Sequence, residues 1–453
     1  QIDKGIAKNK ALLDNIFALF VSICNKAPVF IVGKPGCSKS LSVQLIIKSM
    51  RGYLSNNSLF KDLPKVIVNS YQGSMGSTSE GVENVFKKAR KVIQEINKEE
   101  RDNNISMIYF DEMGLAEYSP NNPLKVIHAE LEYDQNEGDK KVAFVGISNY
   151  ELDASKMNRG LFISIPDPDE DDMKNTALTI GRSYNERLAD YYRLFFENLG
   201  KIYFEYKQYL KEMHCLDGKE DFHGNRDFYH LVKNAGINLS KKINNNEVIN
   251  EEALRNIILD AIERNFSGIE FRINEHEKIT SLEVIKSKYN QIDPNFYVCR
   301  EYNVTQRIKD NIFDLNSRYL LIIANQSIST YLLSPILSET NKKYSLLFGS
   351  EFEEDHKSEE YISKILNKVQ LYMEQGNILI LNNLESVYPN LYDLFNQNFT
   401  VIGNKNYSRL AVGSSTNTFA YVNKNFRCIV NDEINNIDNE EPPFLNRFEK
   451  HIL

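Results

Sequence analysis

The octapeptide Gly33-Lys34-Pro35-Gly36-Cys37-Ser38-Lys39-Ser40 limits what this chain can fold into more than any other stretch of its 453 residues. It follows the apolar run Pro28–Val32 and precedes a helical pattern from Ser40 to about Met50. A buried strand, a glycine turn and a helix in that order bring a row of backbone N–H groups and a helix N-terminus to one point, which suits phosphate. The pattern for such loops is G-x-x-x-x-G-K-[ST], and Ser38 stands where the second glycine is expected. Lys39 is expected to reach the β- and γ-phosphates of a nucleotide, and Ser40 to ligate Mg²⁺. The departure raises one local question, whether Ser38 resists the left-handed backbone that glycine allows.

A second element supports the first. Met107-Ile108-Tyr109-Phe110-Asp111-Glu112 reads as a buried strand ending in two adjacent acids, about 70 residues after the loop. In parallel sheets ligands bind at the carboxyl ends of strands. Asp111 is expected to hold Mg²⁺ through water, and Glu112 to polarise the water that attacks the γ-phosphate. A third strand, Val145–Ile147, leads to Ser148-Asn149, and Asn149 is placed to hydrogen-bond that phosphate or water.

These pieces belong to a longer alternation. Strand candidates Val66–Asn69, Met107–Phe110, Val142–Ile147 and Phe162–Ile165 are separated by helical patterns, notably Glu80–Lys98 and Pro123–Glu132. That alternation specifies an α/β fold with a doubly wound parallel sheet. From about Asp169 to Asn290 only helical patterns remain, and an all-helical companion domain is expected. Strand runs return at Tyr319–Ala324, Tyr344–Phe348, Ile378–Leu381 and Phe426–Val430, opening a second α/β core near residue 315. Its chemistry is different. Where a phosphate loop should follow the first strand the chain reads Ala324-Asn325-Gln326-Ser327-Ile328-Ser329, and where an acid pair should stand it reads Asn382-Asn383. An amide is neither a general base nor a carboxylate for Mg²⁺, so hydrolysis is not expected there.

Composition narrows the partners. The net charge is −8, from 62 acids and 54 bases, which argues against a general nucleic-acid or anionic-membrane surface. The basic run Lys87-Lys88-Ala89-Arg90-Lys91 soon meets Glu95, Glu99 and Glu100 and reads as a solvated helix face. Five well-separated cysteines (24, 37, 215, 299 and 428) fit a reducing compartment, and a cytoplasmic location is expected. His214-Cys215, His223 and His230 match no common zinc spacing. The longest apolar stretch, Asn15–Cys24, is too short for a membrane span. A start at Gln1 and a stop at Leu453 suggest a piece of something longer.

Together these residues resemble the AAA+ ATPases, with Walker A at 33–40, Walker B at 107–112 and a sensor-1 Asn149. The resemblance implies that Gly33, Lys34, Pro35, Gly36, Cys37, Ser38, Lys39, Ser40 and Leu41 surround ATP, with Mg²⁺ at Ser40 and Asp111. It makes the helical region a lid, in which Arg226, within Gly224-Asn225-Arg226-Asp227-Phe228-Tyr229, is the sensor-2 contact to the γ-phosphate. The closer resemblance is to the mysterin-like giant RING-finger ubiquitin ligases. It rests on Asp111-Glu112-Met113-Gly114-Leu115-Ala116-Glu117, Ser119-Pro120, Lys156-Met157-Asn158-Arg159-Gly160, Arg264-Asn265-Phe266-Ser267-Gly268 and Leu445-Asn446-Arg447-Phe448-Glu449-Lys450-His451.

Serine at position 38 is usual in that family's third module. The resemblance implies a third AAA+ module, with large domain 1–170 and lid 171–290, a linker 291–314, and a degenerate large domain of the fourth module at 315–453 without its own lid. Arg447 then corresponds to an arginine finger for the neighbouring site, and Arg159 to one directed at a preceding module. The activity implied is ATP hydrolysis that drives conformational change or assembly. Weak nucleotide binding by the second core stays open, as do a nucleotide-gated scaffold with negligible turnover and a dynein- or midasin-like remodeller. No zinc-ligand pairs of RING type occur in this stretch, so ubiquitin transfer is implied only for the whole family protein.

Overall fold

A computed structural model describes residues 4–96, 98–136, 141–213, 219–273, 277–295, 301–324, 326–356, 358–412, 416–434, 436–437 and 440–453. The chain divides into two compact units. The first is essentially residues 8–168, and the second runs from 169 to 410 and from 418 to 453.

In the first unit β1 (Val29–Val32), β2 (Lys65–Gln72), β3 (Asn104–Asp111), β4 (Ala143–Ser148) and β5 (Leu161–Ser164) form a parallel sheet in the order β2-β3-β4-β1-β5. β1 is buried on both faces because its residues alternate between two cores. Val29 and Ile31 pack with Val43 and Ile46 of the helix Lys39–Ser49 and with Leu19 and Ile23 of the helix Lys10–Cys24. Phe30 packs on the other side with Val82 and Phe86 of the helix Ser79–Glu95. The ends of β1, β3 and β4 that carry the motif residues therefore rest on a solid, doubly covered sheet.

The second unit begins with the helices Glu170–Tyr184, Arg193–Glu212, Asn225–Asn244, Glu251–Asn265 and Ser281–Ile292, in the region that the sequence reading expects to be a lid. The lid is not wholly helical, because β6 (Glu270–Arg272) and β7 (Lys278–Thr280) pair antiparallel. A second sheet follows, from β8 (Tyr319–Ile323), β9 (Tyr344–Phe348), β10 (Ile378–Asn382), β14 (Arg427–Asp432) and β15 (Phe448–Ile452), in the order β9-β10-β14-β8-β15. All its pairings are parallel. Position for position this is the order of the first sheet. Between β10 and β14 lies an insertion with no counterpart among the described residues of the first core, a three-stranded sheet of β11 (Thr400–Ile402), β12 (Lys405–Val412) and β13 (Thr416–Val422).

Lid and second core share a buried ionic network. Asp227, fully buried, accepts from Arg318 Nη1 and Lys450 Nζ, each at 2.8 Å. Burial alone would raise the Asp227 carboxyl, but the two cations outweigh it and hold it below the ordinary carboxylate range. Arg264 pairs with Glu449 at 2.9 Å and with Asp314 at 3.2 Å. Burial opposes the charge on Glu449 too, yet Arg264 and His451 pull its carboxyl down to about 2. Burial lowers the Lys450 ammonium to about 8 against the pull of Asp227. Among the described residues no helix is long and apolar enough to cross a membrane.

Candidate nucleotide site

The loop from Gly33 to Ser38 leaves β1 with Gly33 N–H donating to Ser148 O at 3.3 Å, which ties it to the end of β4. Gly36 has φ +84° and Ser38 has φ +61° with ψ +18°. Ser38 therefore takes the left-handed conformation that glycine would hold without strain, so the departure is absorbed by the backbone. The helix starts at Lys39, followed by Ser40 and Leu41. Lys34 and Pro35 line the turn, and Lys34 reaches Asp167 at 3.7 Å across an exposed gap. Cys37, half-buried, packs against the core below the loop.

Lys39 is 6% exposed. Its ammonium donates to Gly33 O at 2.5 Å, Lys34 O at 2.9 Å and Asn149 Oδ1 at 3.0 Å. Asn149 Nδ2 in turn donates to Glu112 Oε2 at 2.8 Å. One amide thus joins the loop lysine to the second acid of β3. Ser148 turns the chain there, with its Oγ donating to Tyr150 O at 2.6 Å and accepting from Tyr150 N–H at 3.1 Å. Asp111 is fixed at both oxygens, Oδ1 by the Glu112 N–H at 3.0 Å and Oδ2 by the Tyr109 hydroxyl at 2.8 Å. Glu112 adopts φ +52°, a strained backbone of the kind that collects at functional sites. Gly73, at the end of β2, donates to Asp111 O at 2.8 Å, and a Cβ there would stand 2.3 Å from Glu112 O.

Six of the residues picked from the sequence are therefore brought into one site: Gly33, Lys34, Lys39, Asp111, Glu112 and Asn149. Sequence reading missed Tyr109, Gly73 and Ser148. The signal for Tyr109 was its position two residues before Asp111, on the same face of a strand. For Gly73 it was a glycine directly after a strand.

The arginines are placed differently. Arg226 lies on the first turn of the lid helix Asn225–Asn244 and donates to Asn396 Oδ1 of the second core. Arg447 is 2% exposed, with its guanidinium 3.6 Å above the Tyr392 ring and donating to Pro443 O. The expectation of an outstretched finger needs correcting for this conformation, because a cation stacked inside its own core does not project from it. Arg159 is partly exposed and paired with Glu132. His223 is buried between the Tyr206 hydroxyl at 2.9 Å and Ser267 O at 3.0 Å, while His214 and Cys215 lie outside the described residues.

The second core repeats the backbone without the chemistry. Gly349 N–H donates to Asn382 O at 2.8 Å, as Gly73 does to Asp111, and Ala324 N–H donates to Asp432 O at 3.0 Å, as Gly33 does to Ser148. Asn382 and Asn383 thus occupy the places of Asp111 and Glu112. Between β8 and the next helix, which starts at Gln326, only two residues remain. Asp432 is buried, and burial pushes its carboxyl up to about 6.

Comparison with known proteins agrees with this architecture. Residues 5–172 and 309–453 each match a model described as an RNF213 AAA domain. E3 ubiquitin-protein ligase RNF213 of Homo sapiens is 33% identical over 99% of this chain, and that of Mus musculus 32% over 100%. The rnf213-beta ligase of Danio rerio is 33% identical over 100% of the chain. The chain spans 8–9% of the length of these relatives. Among solved structures, the Aeropyrum pernix ORC2 protein (ADPNP-ADP complexes) aligns with TM-score 0.39 and 11% identity, over 67% of this chain and 85% of that one. With both cores matched and the whole length aligned at about one-third identity, the chain belongs to the RNF213 AAA domain family.

Proposed function

We propose that the first core binds ATP with Mg²⁺ and hydrolyses it, and that this drives conformational change or assembly within a larger, cytoplasmic RNF213-like ubiquitin ligase. The observation that carries the reading is the continuous chain Lys39–Asn149–Glu112, which links a phosphate-binding cation to a general base through one amide. The backbone N–H groups of 33–40 and the Lys39 ammonium would take the phosphates, with Lys39 exchanging its carbonyl partners for phosphate oxygens. Ser40 and Asp111 would hold Mg²⁺, whose charge offsets that building on the phosphates. Both Asp111 oxygens are already oriented, which suits a metal carboxylate. Glu112 accepts a proton from the attacking water, and Asn149 keeps its carboxylate turned towards the loop.

Neighbouring AAA+ modules of the longer chain are the proposed partners. Leu13, Phe17 and Val21 make an exposed apolar stripe at i, i+4 and i+8 of the first helix, and Arg159 supplies a surface cation directed towards a preceding module. Arg447 would serve a neighbouring site only by leaving the Tyr392 ring, and Arg226 would sense phosphate only by leaving Asn396. A nucleotide-gated scaffold is the second reading, favoured by the amide pair Asn382-Asn383 and by the mere two residues of sequence between β8 and the next helix of the second core.

Single-turnover hydrolysis and ATP binding by the purified chain test the choice. Hydrolysis abolished by Lys39→Ala and by Glu112→Gln, with binding kept in Glu112→Gln, supports the ATPase. Tight binding through Lys39 with no turnover supports the scaffold, and no binding at all removes both.

A further inference from the structure

We infer that Tyr109 is a positioning residue for the metal site, its hydroxyl setting the direction in which Asp111 presents its carboxylate; this rests on the nucleotide-site reading above. Tyr109 and Asp111 are two apart on β3 and share one face of the sheet. The ring of Tyr109 packs against the core formed with the helices Lys10–Cys24 and Lys39–Ser49. Packing accounts for the ring, and phenylalanine would do as well. The hydroxyl is what needs explaining, and it donates to Asp111 Oδ2 at 2.8 Å. With Oδ1 held by the Glu112 N–H at 3.0 Å, the carboxylate cannot rotate without breaking a charge-assisted hydrogen bond. Its remaining lone pairs therefore point in a fixed direction, as a metal ligand requires.

The second core supplies an independent observation. Gly349 marks Asn382 as the counterpart of Asp111 by the same backbone hydrogen bond. Two residues earlier on β10 stands Ile380, buried in the corresponding core. The hydroxyl is present where the carboxylate is present and missing where it has become an amide. A tyrosine kept only for packing has no reason to follow the charge.

The test is Tyr109→Phe in the full chain, beside Asp111→Asn, with a fluorescent ADP as probe titrated in EDTA and over a range of Mg²⁺. For Tyr109→Phe the affinity in EDTA should match the unsubstituted chain, while the half-saturating Mg²⁺ concentration should rise about ten-fold, the low end for a lost outer-shell partner. High Mg²⁺ should restore binding, and Asp111→Asn should lose the Mg²⁺ response altogether. An unchanged Mg²⁺ requirement in Tyr109→Phe would overturn the inference. So would weakened binding in EDTA, or a drop in melting temperature large enough to mark a structural defect. If the unsubstituted chain binds no probe under either condition, the nucleotide reading itself fails. If it binds without responding to Mg²⁺, that reading survives and the role of Tyr109 does not.

Discussion

β3 of the first core leads into Asp111-Glu112, and β10 of the second into Asn382-Asn383, on a matching backbone. Glu112 and Asn383 both have φ +52°. In both cores a glycine after the edge strand lies so close that a Cβ would collide with the carbonyl of the second residue, at 2.3 Å from Glu112 O and 1.5 Å from Asn383 O. The bend at the end of the strand next to the edge therefore belongs to the scaffold, with or without the carboxylates. What distinguishes the cores is charge and a loop. The first has two carboxylates and six residues, Gly33–Ser38, between strand and helix; the second has two amides and two residues. Asparagine tolerates the left-handed region better than glutamate. The same left-handed backbone thus carries more strain at Glu112 than at Asn383.

The comparison can be broken most severely at the base. Glu112→Gln should lower turnover by about 10²–10⁴-fold with ATP binding retained, read by single-turnover assay. The double change Asn382→Asp with Asn383→Glu should restore nothing, because the phosphate loop is absent from that core. Measurable hydrolysis from it in a Lys39→Ala background would show that the carboxylates suffice.

Next in size is the network that joins lid and second core. Asp227→Ala leaves Lys450 and Arg318 without their shared carboxylate, and should destabilise the second unit by about 3–5 kcal/mol. Thermal or denaturant unfolding should show that loss with the first unit little changed, and equal loss in both would mean the units unfold as one.

Acid should separate the units as well. Burial, with help from Lys450, holds His223 down at about 3. The unfolded chain then binds its proton first as pH falls below about 6.5, so stability is full above that pH and declines towards 3. The slope for one histidine is at most about 1.4 kcal/mol per pH unit. Melting temperature measured from pH 8 to 5 should fall for the second unit, and His223→Gln should flatten the curve. The smallest effect expected is at Ser38. Ser38→Gly should relieve about 1 kcal/mol of left-handed strain without loss of ATP affinity, measured by melting temperature and nucleotide titration. A loss of affinity would give the Ser38 side chain a role of its own.

Much of this was legible before any coordinates. The strands of the first sheet, the loop, the acid pair and Asn149 all follow from apolar runs of the right length ending in polar residues. Two features of the second core were not. β15, whose residues Glu449, Lys450 and His451 are all buried, looks polar in sequence, and ion-pair partners 185 and 223 residues away help make burial of those charges tolerable. The inserted sheet was missed because β12 mixes Lys405, Ser408 and Arg409 with its apolar residues. A usable signal was present in Gly403-Asn404, both with positive φ and joining Ile402 to Lys405, the two-residue hairpin turn that such pairs favour. The burial of Arg447 was illegible for a third reason. The stack depends on Tyr392, 55 positions earlier, and no local pattern records it.

The ion pairs Asp227–Lys450 and Arg264–Glu449 carry a consequence for inheritance. They bind two stretches of the gene that lie on either side of residues 291–314, where the helix Val304–Phe313 packs Ile308 and Ile312 into the second core. A chimaera exchanged within 291–314 would pair one ancestor's lid charges with another's β15, and a reversed sign at either end would leave a buried ion without its mate. Alleles at 227 and 450, or at 264 and 449, are therefore tied, and a change in one should persist only beside its compensating change in the other. In descent, the lid travels with the core that follows it.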